Sequence, residues 1–133
     1  MISNSKRILC VDDHSDTCEL ITTILETHRV TAAYSMADAV KQATAEKFDL
    51  YILDYHLPDG TGLELCLMLR AFDQNTPMLF VTGSSSITEA QVITAGAQGL
   101  IRKARHHSQP ICSPGFLNSP IQNLWQRAKG VSH

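Results

Sequence analysis

The sequence predicts an α/β fold: a doubly wound, five-stranded parallel sheet of (βα)5 type, flanked by helices as a three-layer sandwich. Three observations carry this. Short apolar runs alternate with segments of helical period. The third run, 48-FDLYIL-53, is apolar on both faces, as strands covered by helices on two sides are. Right-handed crossovers convert such an alternation into one parallel sheet with helices on both faces.

Ile8 to Val11 is the first strand, and 16-DTCELITTILETH-28 the first helix, with Cys18, Leu20, Ile21, Ile24 and Leu25 toward one face and Asp16 and Glu19 as a capping-box-like start. Val30 to Tyr34 is the second strand. Ser35 caps the helix MADAVKQATAEK, in which Met36, Ala39, Val40 and Ala43 fall at helical spacing. Beyond the third strand, the Pro58-Asp59-Gly60 turn leads into a third helix, GLELCLMLRAF. The strand PMLFVT follows, with Pro77 at its start, where a missing N–H is tolerated. Ser86-Ile87-Thr88-Glu89 matches a capping box and opens a helix carrying Ile87, Ala90, Ile93 and Ala97, which ends near Gly96 or Gly99. Leu100 and Ile101 suggest a short fifth strand. A long connection over 104–115 leads to Ser119-Pro120, which starts a fifth helix over about 119–129, with Ile121, Leu124, Trp125 and Ala128 on one face.

At 133 residues and 44% hydrophobic, the chain suits one domain with one core. A formal charge of −2 gives no general attraction to nucleic acid or to an anionic membrane, which need clustered basic residues. Cys10, Cys18, Cys66 and Cys112 form no CxxC pair and read as reduced, buried thiols. No run reaches the length of a membrane span and the first residues carry no cleavable leader, so the expected compartment is the cytoplasm.

Functional groups of open parallel sheets gather beyond the carboxyl ends of the strands. The polar residues of this chain stand there: Asp12 and Asp13 after the first strand, Asp54 after the third, Thr82 at the end of the fourth and Lys103 after the fifth. Neighbouring strands lie about 4.8 Å apart, so acids at the ends of the first and third can meet if those strands are adjacent. Like charges at that range require a proton or a cation. An oxygen-only ligand set open to solvent suits Mg2+, which keeps waters and accepts phosphoryl oxygens. A carboxylate can accept a phosphoryl group. Lys103 then offers positive charge and Thr82 a hydroxyl donor to the phosphoryl oxygens.

The segments ILCVDD, LDYHLPDGTGLEL, VTG and the later RK resemble, in order and at compatible spacing, the receiver domain of two-component response regulators, from about Lys6 to Lys103. The resemblance implies the flavodoxin-like strand order 2-1-3-4-5, an order that a member of this family serves to illustrate. It implies a single receiver domain over 1–133, a signalling module rather than an enzyme, catalysing only its own phosphorylation and dephosphorylation. Asp54 is the implied acceptor of a phosphoryl group from a sensor histidine kinase or histidine phosphotransfer protein. Asp13, Asp54 and the backbone carbonyl of His56 are the implied Mg2+ ligands, with Asp12 acting through water. Phosphorylation then draws Thr82 inward and rearranges the face around the fourth helix and fifth strand. Nothing after residue 103 could hold an output domain, so the expected output acts in trans on a downstream protein, with a receiver cut from a longer protein as the alternative.

Two positions depart from the family pattern. Leu100 stands where receivers commonly carry an aromatic switch residue, and Ala104 where they commonly carry proline. These give weight to a pseudo-receiver with phosphate-independent output. A Mg2+-dependent phosphohydrolase using Asp54 is a further alternative, weakened because the haloacid-dehalogenase pattern needs an aspartate where His56 stands. A flavin-binding module is disfavoured by the acidic turn DDHSD.

His14 and His56 flank the site, where they could add transition-metal affinity or modulate phosphoryl lifetime, although loop histidines are by default simply exposed. His106 and His107 read as solvated. The third helix is apolar over more than a core stripe: Leu63, Cys66 and Leu67 on one side, Leu65, Met68, Leu69 and Phe72 continuing round. That width suggests docking or homodimerisation there.

Overall fold

The computed structural model describes residues 5–103. The connection expected over 104–115, the helix expected over 119–129, and with them Cys112, His106, His107 and Ala104, lie outside the described residues. In chain order the elements are β1 (Arg7–Val11), α1 (Ser15–Ile24), β2 (Arg29–Ala33), α2 (Met36–Ala45), β3 (Leu50–Leu53), β4 (His56–Leu57), β5 (Gly60–Thr61), α3 (Gly62–Phe72), β6 (Met78–Thr82), α4 (Glu89–Ala95) and β7 (Gly99–Arg102). Five strands form one parallel sheet in the order β2-β1-β3-β6-β7, the expected 2-1-3-4-5 order of the flavodoxin-like fold.

Alternation along each strand divides the core in two. Ile8 and Cys10 of β1, Leu50 and Ile52 of β3, and Leu79 and Val81 of β6 join Cys18, Ile21 and Leu25 on the α1 side. Leu9, Val11, Tyr51, Leu53, Met78 and Phe80 point the other way, into a cluster with Ala39, Ala43, Leu65, Cys66, Leu69 and Val92 from α2, α3 and α4. Each of these strand side chains is at most 3% exposed, which is why the runs read as apolar on both faces. At roughly 25 cal/mol per Å² of apolar surface, this two-sided burial is the main source of stability.

Three local details differ from the expectation. Helix α1 begins at Ser15, capped by His14 without a side-chain bond, and Asp16 sits inside the first turn, so the Asp16–Glu19 box does not form. The reason is Asp12, whose Oδ1 accepts the His14 N–H at 2.9 Å and turns the chain early. The helix also stops at Ile24, because Leu25 closes the last turn and Arg29 N–H already bonds to Lys6 O in register with β1.

Helix α4 is capped by Thr88 and Gln91, not by Ser86 and Glu89. Ile87 is fully buried, and its carbonyl accepts the Arg102 guanidinium at 2.6 Å, so the chain turns helical only beyond it. The helix is thereby rotated. Ala90 and Ile93 face outward, the latter 52% exposed, and Val92 is the buried residue. The expected stop is correct: Gly96 takes a left-handed conformation at φ 114°, which favours glycine.

The third detail is the small antiparallel pair β4–β5 around the Pro58-Asp59-Gly60 turn. Its Asp59 carboxylate accepts the N–H groups of Met36 (2.8 Å) and Ala37 (3.0 Å), so a turn distant in sequence serves the open end of α2 alongside Ser35. These two bonds hold the Asp59 carboxyl below its usual range.

Gly62 seats α3 against the end of β3. Its N–H bonds to Tyr55 O at 2.6 Å, and a Cβ at this position would stand 2.2 Å from the Asp54 carbonyl oxygen and 2.8 Å from the Phe80 ring. Backbone cannot yield as a flexible side chain can. Gly62→Ala is expected to lower unfolding stability by about 2 kcal/mol, read as a lower urea midpoint at unchanged m-value.

Candidate functional site

Strand pairing assembles the site. Val11 lies opposite Leu53 in the β1–β3 ladder, so the residues that follow, Asp12 and Asp54, leave the sheet side by side. Both stay hydrogen-bonded to neighbouring strands, Asp12 N–H to Ala33 O and Asp54 N–H to Val11 O, each at 3.0 Å. Both are buried, 2% and 7% exposed, while the adjacent Asp13 reaches solvent. Donor atoms of Asp12, Asp13, His14 and Asp54 all lie within 4.8 Å of one another.

Lys103 reaches into this cluster from the end of β7. Its Nζ lies 2.8 Å from Asp12 Oδ2 and 3.6 Å from Asp54 Oδ2. Its backbone N–H donates to Thr82 O at 2.9 Å, which fixes the root of the side chain beside β6. Burial works against the ammonium charge, but the Asp12 hydrogen bond and the charges of Asp12 and Asp54 outweigh it, and the Lys103 pKa lies above its ordinary value. Two residues before Asp12 in β1, the Cys10 thiol is pushed well up by its hydrogen bond with Cys18 and by burial, while the same bond lowers that of Cys18.

The remaining oxygens are unevenly engaged. Asp12 Oδ1 accepts the His14 N–H, and Asp54 Oδ1 accepts the Tyr55 N–H at 2.8 Å. Thr82 closes the neighbouring strand, 1% exposed, its Oγ1 accepting the Ser84 N–H at 3.2 Å. His56 follows in β4 with its side chain exposed, its ring edge-on to Tyr55 at 4.8 Å. Three carboxylates against one ammonium leave an excess of two negative charges. A divalent cation bound through oxygen is the charge and the chemistry that fit this set.

A family model for the response regulator receiver domain matches residues 8–110. The chain belongs to the response regulator receiver domain family. It is a receiver of two-component signal transduction, and members of this family bind Mg2+ through acidic residues such as those clustered here. The cell cycle transcriptional regulator CtrA of Caulobacter vibrioides is 30% identical over 127 residues, covering 93% of this chain and 52% of CtrA. The response regulator PilR of Pseudomonas aeruginosa is 32% identical over 101 residues, 74% of this chain and 23% of PilR. The receiver thus spans about half, or less, of these curated relatives. Among solved structures, a CheY-like receiver domain protein from Methanospirillum hungatei superposes with a TM-score of 0.83 at 26% identity, covering 96% of this chain and 98% of its own.

The structure brings together Asp12, Asp13, Asp54 and Lys103 as the sequence led one to expect, with Thr82 on the adjoining strand. Leu100, at the usual aromatic switch position, is half-buried and packs on the core of the α3–α4 side. Sequence reasoning overlooked Arg102, which donates to the carbonyls of Ser84 and Ile87 and so ties β7 to the loop after Thr82. Its only sequence signal was adjacency to Lys103.

Because the folded-state pKa of Lys103 is raised above the unfolded value near 10.5, its stabilisation is complete below that value and is lost as pH rises through the folded one. Lys103→Met is therefore expected to cost about 2 kcal/mol of unfolding stability from pH 6 to 9, discounted from a fully buried pair for partial solvation. The difference from wild type shrinks above about pH 10.5. Urea titrations across pH read both effects.

Proposed function

We propose that this receiver accepts a phosphoryl group on Asp54 from a phosphohistidine of a sensor kinase or histidine phosphotransfer protein, with Mg2+ held by Asp13, Asp54 and the His56 carbonyl and, through water, by Asp12. The observation that carries the reading is the convergence of buried Asp12 and Asp54 with Lys103 at the carboxyl edge of the sheet. In the transfer, an Asp54 carboxylate oxygen bonds to phosphorus while the P–N bond of the donor breaks, and its electron pair returns to the donor imidazole. Since Asp54 Oδ1 is engaged by the Tyr55 N–H, Oδ2, on the Lys103 side, is the attacking oxygen. The divalent ion supplies neutralising charge. Lys103 balances the phosphoryl oxygens from the other side, and Thr82, at the end of the next strand, supplies a hydroxyl donor to them.

The receiver domain acts in this reading in the cytoplasm. No helix among the described residues is long and apolar enough to cross a membrane. Output passes to a protein partner. Loss of the Thr82–Ser84 bond when Thr82 turns toward phosphate would move the loop that Arg102 holds, a route that does not need an aromatic residue at Leu100. Exposed Leu67, Met68 and Phe72 on α3 are the surface for a downstream partner or a second copy.

Incubation with Mg2+ and acetyl phosphate is expected to give a stoichiometric, hydrolytically labile phosphoryl adduct by intact-protein mass spectrometry. Asp54→Ala and removal of Mg2+ by chelation each abolish it. Adduct retained in Asp54→Ala, or multiple turnover of phosphomonoesters by wild type, would count against the proposal.

A further inference from the structure

Arg102 stands opposite Thr82 where the β6–β7 ladder ends, and its guanidinium reaches the carbonyls of Ser84 and Ile87, the second at 2.6 Å. The Ser84 residue is therefore held from both sides. Its N–H donates to Thr82 Oγ1 at 3.2 Å, while its carbonyl accepts from Arg102. The next residue along, Lys103, donates its own N–H to Thr82 O, so the Arg102 grip is rooted in the same stretch of backbone as the ammonium of the site.

The far end of α4 is fastened separately. Gly96 O accepts Arg70 Nε at 3.1 Å and a second Arg70 N–H at 2.9 Å, and Ala95 O accepts the Cys66 thiol at 3.3 Å. Both partners belong to α3. The near end of α4 is reached through Ile87 and the cap Thr88, and there Arg102 supplies a polar fastening. Leu100, packed on the core of this side, has no polar tip through which to couple Thr82 to α4. Charge-assisted bonds from one guanidinium to two carbonyls favour the arrangement that makes both, which here is the one with Ser84 N–H on the Thr82 hydroxyl. Turning that hydroxyl to a phosphoryl oxygen either breaks the Ser84 bond or draws Ser84 off Arg102.

We infer that Arg102 is a positioning residue that holds Thr82 in its resting orientation through Ser84, so that its two bonds oppose both the filling of the Asp54 site and the freeing of the loop over 84–88. This rests on the reading of Asp54 as phosphoacceptor and Thr82 as donor to its phosphoryl oxygens. By linkage, removing the grip makes the site easier to fill.

Beryllofluoride with Mg2+ stands in for the phosphoryl group. Calorimetric titration of the full chain reads its affinity in wild type, Arg102→Met, Arg102→Lys and, as a control at the other end of α4, Arg70→Met. Binding is expected to be about three- to tenfold tighter in Arg102→Met, with a smaller gain in Arg102→Lys, whose ammonium serves one carbonyl, and none in Arg70→Met. Amide exchange gives a second readout: beryllofluoride raises exchange over 84–88 in wild type, whereas in Arg102→Met it is raised beforehand and changes little on binding. A purely structural Arg102 would lower stability and leave the affinity where it was. Affinity unchanged or weaker in Arg102→Met, an equal gain in Arg70→Met, or wild-type exchange over 84–88 indifferent to beryllofluoride overturns the inference and leaves the Asp54 reading standing. Wild type that fails to bind beryllofluoride with Mg2+ overturns that reading as well. Arg102 is exposed, so both of its substitutions leave the core untouched, which circular dichroism checks.

Discussion

Like charge held at close range is the constraint on which the rest of this molecule depends. Asp12 and Asp54 are buried on adjacent strands with their donor atoms, and those of Asp13, inside one small volume. Such an arrangement is unfavourable in isolation, because burial and mutual repulsion both penalise the ionised forms. It is maintained by what surrounds it. The β1–β3 ladder fixes the two backbones, and Lys103 places an ammonium between two of the acids. A fold in which most of the core is apolar and buried on two sides has the stability to carry a charged corner.

That corner is also where the end of β7 and the loop after Thr82 are tied together. Lys103 and Arg102 are neighbours at the end of β7, one turned to the acids and the other to the carbonyls of the loop following Thr82. A change in charge at Asp54 therefore acts on a strand whose adjacent residue grips the segment leading into α4. The same geometry explains why α4 starts late: Ile87 is anchored in the core and Arg102 holds its carbonyl, leaving only seven helical residues before Gly96. A short helix between a tied loop and a left-handed glycine has few internal bonds of its own, and its position follows its attachments.

Much of the site was legible because its residues lie where strands end, and strand ends show in the sequence as the point where an apolar run stops. Asp12, Asp54 and Thr82 could each be placed on that basis, and Lys103 by its place after the last run. Arg102 could not, since nothing in a basic dipeptide tells which side chain turns inward. The inward turn of His14 was equally hidden. A histidine after two aspartates is by default a solvated loop residue, and only the bond from its own N–H to Asp12 brings the ring over the acids.

The chain's own pattern determined the five strands of the parallel sheet in outline, the α/β class and the span of α3, because burial on two faces and the Pro58-Asp59-Gly60 turn leave local, readable marks. Tertiary structure decided the rest. The start of α1 was set by Asp12, that of α4 by Arg102 and Ile87, and the second set of N–H acceptors for α2 by Asp59 from a turn more than twenty residues away. Helix ends have several unpaired backbone groups and several nearby residues able to serve them, with small free-energy differences between the choices. Which one is used depends on contacts that exist only once the sheet has formed.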